Sequence, residues 1–199
     1  MRQGPQKILT GSALDSRVAQ FGMRSFVRSV QRGSFTMGAG AASGTVTITT
    51  VDTSNAVLTA MNNTPYQAAA TATAATIFWR TTLTNSTTIT FNSALAGDAR
   101  IIYWELIEYW PGVIKSKQVG TVTVSGVTNA STTVTVVNMN KSILLLTGNT
   151  CVYNAAAYGD PREAPGNCFL DTSTSVKVQR GSNDAAYAGT WGFQLVEFY

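Results

Sequence analysis

The residues best placed to do chemistry stand together in IIYWELIEYW, positions 101–110. Glu105 and Glu108 are a carboxylate pair set among Tyr103, Trp104, Tyr109 and Trp110. Two carboxylates beside aromatic rings are what a glycosidase uses, one as acid and one as base or nucleophile. The same ingredients also make a sugar platform or a contact between subunits. Along a strand, side chains alternate between faces. Trp104, Leu106, Glu108 and Trp110 then share one face, and Tyr103, Glu105, Ile107 and Tyr109 share the other. Carboxylates on opposite faces cannot act on one bond, so the stretch is expected to be a structural strand.

Other chemistry is set aside by residue type. The chain has no histidine, which removes Ser-His-Asp and Cys-His arrangements and any histidine-bound metal. Cys151 and Cys168 are too few for a zinc finger. GAGAASG, at 38–44, lies between strand-like runs and lacks the lysine of a phosphate-binding loop. Asp160, Glu163 and Asp171 do not have the spacing of a calcium loop and read as solvated carboxylates. The expectation is a protein that is not an enzyme, with no catalytic residue, no metal and no cofactor.

The elements that would carry these residues are written in period two. Val46, Ile48 and Thr50 alternate with Thr47, Thr49 and Val51. Thr87, Ile89 and Phe91 alternate with Thr88 and Thr90, and Val176 and Val178 with Lys177 and Gln179. Alternation rich in β-branched residues, bounded by Gly, Asn and Ser clusters, predicts strands. No convincing helical period occurs after residue 28.

The chain also repeats itself. FVRSVQRGSFTM at 26–37 matches VIKSKQVGTVTV at 113–124, with Ser29, Gln31, Gly33 and Thr36 answering to Ser116, Gln118, Gly120 and Thr123. GTVTITTVDTSNAVL at 44–58 matches STTVTVVNMNKSILL at 131–145 with a one-residue slip, and LTNSTTITFN at 83–92 matches LDTSTSVKVQ at 170–179. The opening stretch has its own partner: WELIEYW at 104–110 answers to FQLVEFY at 193–199. Glu108 recurs as Glu197, whereas Glu105 becomes Gln194, which again argues against a catalytic pair.

The expected fold is all-β: two tandem small antiparallel β-sandwich or barrel domains related by internal duplication, behind an extended N-terminal arm. The boundaries are 1–27 for the arm, 28–112 for the first domain and 113–199 for the second. Five or six strands are expected in each domain. Trp110-Pro111-Gly112 separates the domains. Within the arm, Leu14, Val18 and Phe21 make a short helical stripe after Ser12.

Charge sorts these parts. Charged residues make up only 12% of the chain and hydrophobic residues 44%, and the net charge is +4. Arg2, Lys7, Arg17, Arg24, Arg28 and Arg32 stand against Asp15 alone in the first 32 residues, so the body is close to neutral. The arm lacks a dense basic cluster, which favours docking to protein over nucleic acid. The opening MRQGPQKILTGS lacks the apolar core of a secretion leader. No apolar run reaches the roughly 18 residues of a membrane helix. Synthesis in the cytosol is expected, and a Cys151–Cys168 disulfide would need an oxidising setting.

Two long connections, MNNTPYQAAATATAATIFW at 61–79 and CVYNAAAYGDPREAPGNC at 151–168, fall at equivalent places. Long loops usually carry a function. Tyr66, Trp79, Tyr153 and Tyr158 are the candidate contacts there, with Trp104 and Trp110 as further candidates because aromatics dominate interface energetics.

SVQRGSFTM with TVTITTVD, LTNSTTITF, and the strand ending in LIEYWPGVIKS resemble small tandem-β-domain virion structural proteins of tailed bacteriophages. The resemblance covers 27–199. It implies a decoration, collar or tail-fibre-associated part, made in the host cytoplasm and located in the virion. It further implies no cofactor, homo-oligomeric assembly in a symmetric ring, and docking to other virion proteins through residues 1–30, Arg2, Lys7, Arg17, Arg24 and Arg28 among them. The second copy departs at Val119, where the first has Arg32. The alternative is a carbohydrate- or receptor-binding module of a phage fibre.

Overall fold

A computed structural model describes residues 26–63, 78–97, 99–153, 166–180 and 187–199. The described chain is all-β, and its single helical element is a 3-10 turn at Met139–Lys141. In the N-terminal half the strands are β1 (Val27–Met37), β2 (Ser43–Thr47), β3 (Ala56–Asn63), β4 (Trp79–Asn85), β5 (Thr88–Ser93) and β6 (Arg100–Tyr109). In the C-terminal half they are β7 (Ile114–Ser125), β8 (Asn129–Thr133), β9 (Ser142–Tyr153), β10 (Gly166–Thr172), β11 (Ser175–Arg180) and β12 (Tyr187–Phe198).

All pairings are antiparallel and form three sheets, in the orders β1-β6-β3, β10-β11-β8 and β2-β5-β4-β9-β12-β7. The six-stranded sheet joins three strands of each half through one bridge, Arg80 with Gly148. Within each half the last strand therefore lies between the first and third, and the fifth between the second and fourth. Turn bonds follow the same scheme. Ile48 and Val51 donate to the carbonyls of Thr87 and Ser86, as Val134 and Val137 do to those of Thr174 and Ser173. Ladder register sets Gly44 opposite Phe91 and Ala130 opposite Val178, so the slip between the two stretches falls ahead of β2 and β8.

Each half is sandwich-like, with a core between its two three-strand layers. The N-terminal core holds Met37, Leu58, Ile102, Trp104 and Leu106 from one layer and Trp79, Ile89 and Phe91 from the other. The C-terminal core sets Val122, Val124, Trp191, Phe193 and Leu195 against Val176 and Val178. Glycines open space for the rings. A Cβ at Gly33 would stand 2.7 Å from the Trp104 ring, and one at Gly120 would stand 2.7 Å from Phe193.

Bulk is exchanged between the halves at one point. Trp79 on β4 and Ile102 on β6 are both core residues of the N-terminal half. At the same register the C-terminal half has Gly166 and Trp191, and a Cβ at Gly166 would lie 3.0 Å from the Trp191 ring. The tryptophan lies in the opposite layer, so each core keeps one indole at this place.

Between the halves, Gly112 takes φ +88 and Val113 N–H bonds the Trp110 carbonyl, closing a tight turn. The predicted Ser12 helix and residues 1–25 lie outside the described residues.

Candidate functional site

β6 buries alternate residues. Ile102, Trp104, Leu106 and Glu108 face the core, while Ile101, Tyr103, Glu105 and Ile107 face away. The two glutamates are thus on opposite faces, as the spacing requires. Glu108 is only 3% exposed. It accepts from Arg28 Nη1 at 2.9 Å, Ser29 Oγ at 2.9 Å and the Asp52 N–H at 2.9 Å. Glu197, at 2% exposure, is held by the same three kinds of donor: Lys115 Nζ at 2.9 Å, Ser116 Oγ at 3.2 Å and the Asn138 N–H at 3.1 Å. Bonds from Lys115 and from the Asn138 backbone hold the Glu197 carboxyl below its ordinary range. A carboxylate bound at both oxygens ties a strand end to a loop. These glutamates are structural pins.

The matched glutamines have an equally local purpose. Gln31 donates to the Thr49 carbonyl at 2.9 Å and accepts from its N–H at 2.8 Å. Gln118 does the same to Thr135, at 2.9 and 2.6 Å. Each amide mimics a strand partner for one residue of a segment that lies outside the ladders.

The outward faces of the two central strands differ. On β6 that face is open: Val30 on the neighbouring β1 is 40% exposed and Tyr103 is 48% exposed. Arg32 makes an ion pair with Glu105 across it. An open depression of about 580 Å³ lies there, lined by Arg32, Gly33, Ser34, Thr59, Tyr103, Trp104 and Glu105.

On β12 the outward residues Gln194 and Val196 are buried as deeply as the inward ones. The N-terminal half covers them. Gln194 donates to the Leu58 carbonyl at 2.6 Å and accepts from its N–H at 3.2 Å, clamping the free edge of β3. Val57, Ile114 and Val196 form a small buried cluster, joined by Tyr109, Leu145 and Phe198. Tyr109 and Phe198 meet edge to face at 6.1 Å. Lys117 donates to the carbonyls of Thr53 and Ala56. Burial pushes its ammonium down to about 8, with the Asp52 charge working in the other direction. Backbones meet closely at the bridge: a Cβ at Gly148 would come within 2.1 Å of the Trp79 carbonyl oxygen. At Gly192 a Cβ would come within 2.5 Å of Arg80 Cδ.

The residues singled out in the sequence are scattered. Trp79 and Trp104 are buried core residues, so both rings pack mainly within their own half. Trp79 is a candidate contact as the end of a long connection and Trp104 as an aromatic; the strands around them, and Gly33 beside Trp104, make room for their rings inside. Trp110 is half exposed, with the Arg28 guanidinium 5.6 Å from its ring centroid. Arg28 is thus engaged by Glu108 and Trp110 at the same time. Tyr153 ends β9. Arg2, Lys7, Arg17, Arg24, Tyr66 and Tyr158 lie outside the described residues. Burial pushes the Cys168 thiol up to about 11, which keeps it un-ionised at neutral pH.

Sequence reading missed Gln194, Lys117 and Arg80 as seam residues. One signal was available: Gly148 and Gly192 interrupt strand patterns, and glycine in a strand interior marks close approach of another backbone or side chain. No protein family, curated protein or solved structure matches this chain. Among the described residues, no helix is long and apolar enough to cross a membrane, and no group of His, Cys, Asp and Glu could hold a metal ion.

Proposed function

We propose that this chain is a structural protein of a bacteriophage particle, built by internal duplication of one six-stranded β-domain. In this reading residues 28–112 and 113–199 are the two copies, and residues 1–27 dock the protein to other virion proteins. The domains pack against one another and against neighbouring subunits, in a capsid-decorating, collar or tail-associated position. One observation carries the proposal: Glu108 and its counterpart Glu197 are held by equivalent sets of donors at equivalent strand ends. The groups retained in both halves are those that hold the β unit together.

Deleting residues 1–26 tests the docking role. The expected result is a folded, β-rich protein that no longer enters particles. A deletion variant incorporated like the full chain would refute it.

A second reading has one observation in its favour. An open depression on the outward face of β6 is lined by Tyr103, Arg32 and Glu105. An aromatic ring beside charged hydrogen-bonding groups suits a sugar, as in a receptor-binding module. Glycan-array binding that Tyr103→Ala removes would support this reading; an array with no bound glycan would refute it.

A further inference from the structure

The seam inside the chain has a direction. The N-terminal half supplies an edge, β3, and the C-terminal half receives it on a face, β12. Among the described residues the reciprocal contacts are not made. Glu105, the counterpart of Gln194, pairs with Arg32 of its own sheet. Ile143, at the register of Val57, is 43% exposed where Val57 is buried. The chain is therefore left with one open face and one stretch of edge, residues 142–146 of β9 before the single bridge of Gly148 to Arg80, of the kinds that its own seam joins.

We infer that a second copy of this chain fills that face: the β9 edge of one copy docks on the open β1-β6-β3 face of the next, repeating the seam between chains. The inference rests on the reading above, that the halves are duplicates which pack against neighbouring subunits. Continuity with the internal seam identifies the occupant, and residue sizes support it. Inside the chain, Arg80 is long and covers Gly192. The counterparts between chains are Asn167 and Tyr103, short facing long. Inside, Lys117 reaches across to the Thr53 and Ala56 carbonyls. Between chains its counterpart is Val30, short and 40% exposed, facing Met139, long and 45% exposed. A long side chain on one surface meets a short one on the other in each case, and the charged reach is replaced by apolar contact.

The polar clamp is conserved in another form. Gln194 offers a donor and an acceptor to Leu58. On the open face Glu105 can accept from the Leu144 N–H of the second copy, while Arg32 beside it donates to the Leu144 carbonyl. Leu144 faces Leu195 across its ladder as Leu58 faces Leu106, so the two edges present the same register. A contact of this kind is heterologous: edge meets face, and repetition gives a ring if the rotation closes.

Sedimentation velocity of the full chain, with two blocked variants, tests this. Ile143→Asp blocks the edge and Tyr103→Asp blocks the face; Met139→Asp and Val30→Asp are second choices if either fails to fold by near-UV circular dichroism. The wild type is expected to sediment as a multimer and each blocked variant as a monomer. An equimolar mixture of the two variants is expected to form a 1:1 dimer and nothing larger, because one good edge and one good face remain. A monomeric wild type at hundreds of micromolar overturns the inference, and so does a mixture that stays monomeric. Multimers unaffected by all four substitutions also overturn it, while leaving self-packing intact through another surface. Particle incorporation through residues 1–26 is measured separately, so the wider reading survives or fails on its own.

Discussion

β6 and β12 occupy the same place in their halves, yet one is covered on a single face and the other on both. Their inward residues do equivalent work: Trp104 and Phe193 fill the cores, and Glu108 and Glu197 pin the strand ends. Their outward residues differ. Gln194 and Val196 sit under the N-terminal half, whereas Glu105 and Tyr103 face solvent. The inward face is constrained by folding of the unit, and the outward face by what is packed on it. A seam thus leaves its mark on one face of one strand.

The largest effect that would break this comparison is in the cores. Trp79→Gly should cost about 3–5 kcal/mol in thermal or urea unfolding, as large-to-small core changes do. Adding Ile102→Trp should restore more than half of the loss, because the C-terminal half already carries that pair as Gly166 and Trp191. A double variant no more stable than the single would show that the bulk is not exchangeable.

The outward faces give the next contrast. Gln194→Glu puts a group that only accepts against the Leu58 carbonyl and should cost about 2–3 kcal/mol. Glu105→Gln, the reverse change on the open face, should alter the stability of a single chain by less than about 0.5 kcal/mol. Equal costs at the two positions would mean that the faces do not differ in burial.

Smaller effects follow from titration. The Glu197 carboxyl is held low by Lys115 and the Asn138 N–H, so its folded pKa lies below its unfolded one. Its contribution is present above the ordinary glutamate range and is lost as pH falls through the folded value. Lys115→Met should therefore move the midpoint of acid unfolding to higher pH; an unchanged midpoint would count against the pin. Lys117 has the opposite charge and also a lowered value, about 8. The unfolded chain binds more protons between that value and the ordinary lysine range, so stability should rise with pH across that window. Lys117→Met should flatten the rise, as read from melting temperatures at pH 7.5 and 10.

Much of the fold could be read directly from residue order. The period-two runs at 88–91 and 176–179 are strands, because a half-buried sheet demands that alternation, whereas the run at 46–51 leaves its strand after Thr47. The matched residues Ser29, Gln31 and Gly33 were legible because each is fixed by a bond or a ring within its own half. The core position of Trp79 was not legible, since the tryptophan of the other half sits on a different strand and the match is not visible along the chain. The seam was hidden for a further reason. Gln194 looked like a weakened Glu105, and only three-dimensional contact reveals that its amide grips Leu58. Size exchange and edge-to-face contact belong to pairs of residues far apart in sequence, which periodicity does not register.

Oxidative footprinting across a concentration series probes the asymmetry between β6 and β12 most directly. Tyr103, 48% exposed in the single chain, should become protected as concentration rises, with Met139 protected in parallel, while Val196 stays unlabelled throughout. Equal labelling of Tyr103 at every concentration would contradict the account.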